Sequence, residues 1–136
     1  MLFRSNSPSG SACPYYFMNG ELHPLKYGSC FSNKAKLLRV MKAEEEFILR
    51  QPGRAYRWIW IDLYETRLDG EAVRALAKHV QAIEGTIRKL CFVGCSFVSA
   101  WKIRRQMALL HLGIARQTRF FSDPEEAKRW LVGKDG

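Results

Sequence analysis

The chain has 136 residues, with 22 Lys+Arg against 13 Asp+Glu, four cysteines and a formal net charge of +9. That length allows one domain with a real core, and a hydrophobic content of 47% excludes a disordered chain. No apolar run approaches the roughly 20 residues a membrane helix needs. Met1-Leu2-Phe3-Arg4-Ser5 lacks the apolar segment of a secretory signal, so a cytoplasmic protein without a membrane span is expected.

The positive charges are dispersed, with no consecutive block of five or six. They bear on partners rather than on fold. Cys13, Cys30, Cys91 and Cys95 form no C-x-x-C pair, and only His23, His79 and His111 could complement them as ligands. Reduced structural thiols, with no metal and no cofactor, are the expectation.

In chain order, residues 1–14 are rich in Ser, Gly, Asn and Pro and read as a flexible tail. The aromatic run Tyr15-Tyr16-Phe17 favours strand. Asn19-Gly20 is a two-residue hairpin signal, read either as a hairpin turn or as the end of a single strand, and Pro24 suits an edge position. Ser32-Asn33 opens a helix whose inward stripe is Leu37, Leu38, Met41, Phe47 and Ile48. Its charged residues, Glu44 to Glu46 among them, read as a solvated face, and Gln51-Pro52-Gly53 stops it.

A nearly continuous apolar strand, residues 56–63, contains Trp58-Ile59-Trp60-Ile61 and suits burial on both faces. Asp69 caps a second helix with the stripe Ala72, Val73, Leu76, Ala77, Val80 and Ile83, which Gly85 ends. Residues 87–94 are another strand. A third helix covers 96–112, capped by Ser96 or Ser99 and ended by Gly113. Ile103, Met107, Leu110 and Leu112 point inward there, and Lys102, Arg104 and Arg105 outward. A short strand at 117–121 leads to Asp123-Pro124-Glu125-Glu126, a compact helix start. Ala127, Trp130 and Leu131 pack that last helix, and residues 134–136 read as a frayed end.

This alternation predicts a single α/β domain over residues 15–133. Its mixed sheet has four to five strands, parallel at its core, covered by about four helices.

Four pieces in this order resemble the STAS domain family, the anti-sigma-factor-antagonist fold of bacterial regulators. They are Gly20-Glu21-Leu22, Trp58-Ile59-Trp60-Ile61-Asp62-Leu63, Leu90-Cys91-Phe92-Val93-Gly94 and Phe120-Phe121-Ser122-Asp123-Pro124-Glu125-Glu126-Ala127. The resemblance implies a non-enzymatic module that binds another protein or, in some relatives, a small ligand or lipid. It also implies a switch in which a Ser within an Asp-Ser-Ser-Gly turn is phosphorylated. Here Asp69 stands in that turn, but Gly70 and Glu71 occupy the place of the Ser.

Glu71 could crudely mimic a phosphate. More simply, it is a first-turn carboxylate favoured by the helix dipole. The expected partner-binding residues are Thr66, Asp69, Gly70 and Glu71, with Gly94, Cys95 and Ser96 in the neighbouring turn. Both turns follow parallel strands, where ligands of open α/β sheets bind.

The alternative is a small-molecule or lipid carrier, supported by Phe97, Trp101, Phe120, Phe121 and Trp130, which core packing would also explain. Nucleic-acid binding through Lys102, Arg104, Arg105, Arg116 and Arg119 has no recognised motif behind it. A catalytic Cys95 at a helix N-terminus has no His at fixed spacing. A homodimer is left open.

Overall fold

The computed structural model describes residues 5–10, 12–13, 15–17, 20–28, 30–50 and 57–133. The strands are β1 Ser5–Asn6, β2 Ala12–Cys13, β3 Tyr15–Phe17, β4 Gly20–Lys26, β5 Arg57–Asp62, β6 Ile87–Val93 and β7 Thr118–Phe121. The helices are α1 Lys34–Leu49, α2 Gly70–Ile83, α3 Phe97–Leu109 and α4 Pro124–Val132. One five-stranded sheet runs β3-β4-β5-β6-β7. β3 is antiparallel to β4, and the other four strands are parallel in strict sequence order. This is the α/β architecture that the alternating pattern predicts.

A sequential parallel order joined by right-handed crossovers puts all the connecting helices on one face. The packing agrees: α1 lies on α2 and α2 on α3, while α4 lies against β4 to β7. The sheet therefore has two unlike sides. Ile59, Ile61 and Leu63 turn towards α1–α3 and are at most 1% exposed. Trp58 and Trp60 are only half-buried on the side that α4 covers, with Leu22, Cys91, Val93, Ala127 and Leu131. The unbroken apolar run of β5 reflects cover on both faces, one complete and one partial. On the thinner side, Lys89 donates to the carbonyls of Trp130 (3.1 Å) and Gly133 (2.8 Å), closing the C-terminal end of α4.

The helix starts follow the local signals. Asn33, Asp69, Ser96 and Asp123 are the N-caps, accepting from the N–H of Lys36, Ala72, Ser99 and Glu125. α3 ends three residues before its expected limit. His111 takes a left-handed φ of 55°, and Leu112 N–H reaches back to Met107 O at 3.1 Å. This closure does without Gly113, and it leaves Leu110 half-buried and Leu112 buried past the helix.

The hairpin pairs Phe17 with Gly20, so residues 18 and 19 connect its strands and lie outside the described residues. Pro24 sits past Leu22, the last residue of β4 that is paired to β3. The stop signal at 51–53 and the end at 134–136 also lie outside the described residues.

Two expectations need correction. Within the stretch read as a tail, β1 and β2 pair antiparallel, and Ser7 is 4% exposed. Glu44, read as part of a solvated helix face, is fully buried. The two corrections have one cause. Ser7 Oγ (2.7 Å), Ser9 N–H (3.1 Å) and the Ser9 hydroxyl all donate to Glu44 Oε2, while His23 Nε2 stands 3.4 Å from Oε1. The Lys26 N–H in turn donates to Ser9 Oγ at 3.0 Å. Four donors around one carboxylate tie the N-terminal hairpin to α1 and β4. A buried charge is tolerated only with such partners.

Candidate functional site

The C-terminal ends of β4, β5 and β6 meet in a tight crossing of their following connections. Gly94 has φ 84°, and a Cβ on it would lie 2.9 Å from both Cα and N of Tyr64. On the other side, a Cβ on Gly28 would lie 3.0 Å from Tyr64 O. The backbone of Tyr64 is thus sandwiched between two glycines from neighbouring connections. Asp62 Oδ1 accepts from Tyr64 N–H at 2.9 Å, and Leu63 N–H donates to Val93 O at 2.9 Å, which fixes the bend. The Tyr64 side chain is left 60% exposed.

The Thr66–Glu71 turn is held by the connection after β4. Phe31 N–H donates to Glu65 O and Arg67 N–H to Phe31 O, each at 2.7 Å, forming a parallel bridge between Phe31 and Thr66. Thr66 Oγ1 donates to Tyr27 O at 2.7 Å and accepts from Cys30 N–H at 3.2 Å. Phe31 (φ 50°) and Glu65 (φ 53°) both occupy the left-handed region. For residues with a Cβ that conformation persists only where the surroundings enforce it. The Phe31 side chain is 60% exposed.

Asp69 caps α2 by accepting from Ala72 N–H at 2.8 Å, and Lys34 Nζ stands 3.1 Å from Asp69 and 2.9 Å from Glu71. The Ala72 N–H and the Lys34 ammonium hold the Asp69 carboxyl below its usual range. Glu71 is therefore one arm of an exposed ion pair joining the starts of α1 and α2. That account does not require a phosphate mimic.

Of the seven residues singled out from sequence, Thr66, Asp69, Gly70 and Glu71 form one turn. Gly94 meets it through Tyr64. Ser96 is consumed as the cap of α3, bonding the N–H and hydroxyl of Ser99. Cys95 packs partly against the α1–α3 core, whereas Cys91 lies buried on the α4 side, so the two thiols do not converge. Burial, reinforced by the Asp62 carboxylate, pushes the Cys95 thiol up to about 12. This opposes the lowering a helix N-terminus would give. Alkylation of Cys95, followed by peptide mass spectrometry at pH 7.5, should run about a hundredfold slower than that of free cysteine. Rapid labelling would mean an activated thiolate.

Beside this crossing, Trp60, Asp62, Tyr64, Val93, Gly94, Ser122 and Pro124 line a cleft of about 360 Å³. It opens between the ends of β5 and β6 and the start of α4, with Asp62 and Ser122 as side-chain polar groups and Trp60 and Tyr64 as aromatic walls. The carboxylate and hydroxyl could orient a small polar ligand.

A second polar chain lies inside the α1–α2 layer. Glu45 Oε1 is 3.2 Å from His79 Nδ1, and His79 Nε2 is 2.7 Å from the Tyr27 hydroxyl. Burial lowers the His79 pKa and outweighs the opposing pull of Glu45. The neutral ring then donates from Nδ1 to Glu45 and accepts the Tyr27 O–H at Nε2. Burial also raises the phenol well above its ordinary value, and Tyr27 is 0% exposed. The order of groups is that of a nucleophile relay, but its hydroxyl is sealed from any substrate. The chain serves to fix Tyr27, whose carbonyl anchors Thr66.

The burial of Glu44 and His79 was not expected from the sequence, though a signal was present. Residue 44 continues the spacing of Leu37, Met41 and Ile48, and residue 79 falls among the apolar positions of α2. Among the described residues, no group of three His, Cys, Asp or Glu is placed to hold a metal ion. No protein-family model, curated protein or solved structure matches the chain.

Proposed function

We propose that this chain is a non-enzymatic regulatory module that binds another protein through the connections following β4 and β5. The observation that carries this reading is Phe31 and Tyr64, each 60% exposed on backbone that hydrogen bonds and close packing fix in place. Exposed apolar side chains grouped at one edge mark interaction surfaces, and a rigid display lowers the entropy lost on binding. The strained φ of Phe31 has no use in core packing, since its side chain points to water.

The resemblance to STAS domains supports the same surface. Regulation by phosphate does not follow from it. The place of the Ser holds Gly70 and Glu71, and the Thr66 hydroxyl is engaged by Tyr27 and Cys30. A partner that reads this edge would do so constitutively.

Photo-crosslinking groups at positions 64 and 31 should give one discrete protein adduct in host extract. The same group at Arg129, exposed on α4, should not. Equal labelling from all three positions would overturn the proposal. The cleft of about 360 Å³ beside Tyr64 favours the second reading, carriage of a small ligand. A small molecule retained in native mass spectrometry, without a protein adduct, would select it.

A further inference from the structure

The outer face of α3 is unlike that of any other helix in the fold. α3 buries only Ile103 and Met107, yet Phe97 is 88% exposed, Val98 59% and Trp101 56%. These three occupy adjacent positions on the first turns (i, i+1 and i+4). Lys102, Arg104 and Arg105 follow on the same exposed side. Core packing, which accounts for Phe120 stacked on Phe92 (5.0 Å) and Phe121 against Trp130 (5.9 Å), leaves Phe97 and Trp101 unexplained.

The charge around this face is one-sided. α3 itself carries Lys102, Arg104 and Arg105 and no Asp or Glu. Lys102, Arg104 and Arg105 make no ion pair among the described residues. Two of them rest on rings instead, Arg105 over Trp101 (5.6 Å) and Arg104 over Phe120 (4.6 Å). A patch combining protruding aromatic and aliphatic side chains with unopposed cations complements a surface that is anionic outside and apolar just beneath.

We infer that the outer face of α3 docks the protein on an anionic phospholipid bilayer. Phe97, Val98 and Trp101 enter the headgroup–acyl boundary, and Lys102 and Arg105 lie against the lipid phosphates. Interfacial aromatics and membrane-proximal cations act together in this way. Single-stranded nucleic acid would also meet the cations, but it stacks on ring faces. Arg105 covers Trp101, and the exposed Val98 offers nothing to a base, so the lipid surface is the better fit. Docking is peripheral: no helix among the described residues is long and apolar enough to cross a membrane.

Vesicle co-sedimentation tests this on the full chain at about 0.1 M salt. Vesicles containing phosphatidylglycerol should retain the protein, and pure phosphatidylcholine vesicles should not. Phe97→Ser/Trp101→Ser should reduce retention at least about tenfold. Lys102→Glu/Arg105→Glu should reduce it at least about twentyfold, since each cation near an anionic leaflet contributes about fivefold. Arg39→Glu/Lys42→Glu on α1 makes the same change in net charge and should weaken binding far less. Circular dichroism confirms that each variant is folded. Absence of vesicle binding, equal loss with the α1 pair, or a labelled oligonucleotide displacing vesicles from α3 would each overturn the inference. None of these bears on adducts formed from positions 31 and 64.

Discussion

Glu44→Ala is expected to destabilise the fold by about 3–5 kcal/mol, the range for removing one partner of a buried charged network. It leaves Ser7, Ser9 and His23 facing an apolar void where they now meet a carboxylate. The melting temperature should fall by about 10–20 °C for a domain of this size. Hydrogen exchange should quicken first in residues 5–10, because Glu44 ties the N-terminal hairpin to α1. Glu44→Gln keeps the shape and should cost much less. A melt of Glu44→Ala within about 2 °C of the parent would mean that the hairpin contributes nothing to the cooperative core.

The same residue gives a pH signature. Burial alone would raise the Glu44 carboxyl, but hydrogen bonds from His23, Ser9 and Ser7 outweigh it and hold the group below its ordinary 4.5. A carboxyl depressed in the folded state stabilises above its unfolded value, and that stability is lost as pH falls through the folded one. His79, depressed by burial from 6.5, acts in the same direction at higher pH: below 6.5 the unfolded chain takes up the proton first. Stability should therefore decline on acidification in two windows, one opening near 6.5 and the other near 4.5. Glu44→Gln should remove only the lower window in denaturant titrations. Loss of both would show that the two groups titrate as one unit.

Gly94→Ala is the second large effect, about 2–4 kcal/mol. It combines a left-handed φ of 84° with a Cβ 2.9 Å from the Tyr64 backbone. The obstacle is main chain, not a side chain that can swing away, so the connections after β5 and β6 must separate. The melting temperature should drop by about 8–15 °C, and crosslinking from position 64 should weaken with it. Gly85→Ala is the control, since nothing lies within 4 Å of a Cβ there. It should be neutral or slightly stabilising. A harmless Gly94→Ala would show that the crossing at Tyr64 is looser than its geometry requires.

Much of the fold was legible in the sequence because the signals involved are local. Helix starts at Asn33, Asp69, Ser96 and Asp123 depend on a side chain reaching an N–H two or three residues away. The strand cores read from 56–63 and 87–94 depend on runs of apolar residues, and strand–helix alternation sets a parallel sheet. The Thr66–Glu71 turn was placed by the same logic, as the first connection after the most apolar strand. Tyr64, which joins that turn to Gly94, was not identified, because a close backbone approach leaves no trace in periodicity.

The tertiary structure decided what depends on distant segments. Whether Glu44 is solvated or buried turns on a hairpin some 35 residues away folding over it. Whether Phe97 and Trp101 are core or surface turns on how α3 is rotated, and Ile103 and Met107 claim its inner face. Spacing along the helix is the same in either case. The sequence by itself determined the four helices, where they start and the parallel core of the sheet. Only the packed chain decided which carboxylate is buried, which glycine cannot change, and which aromatic side chains are left exposed.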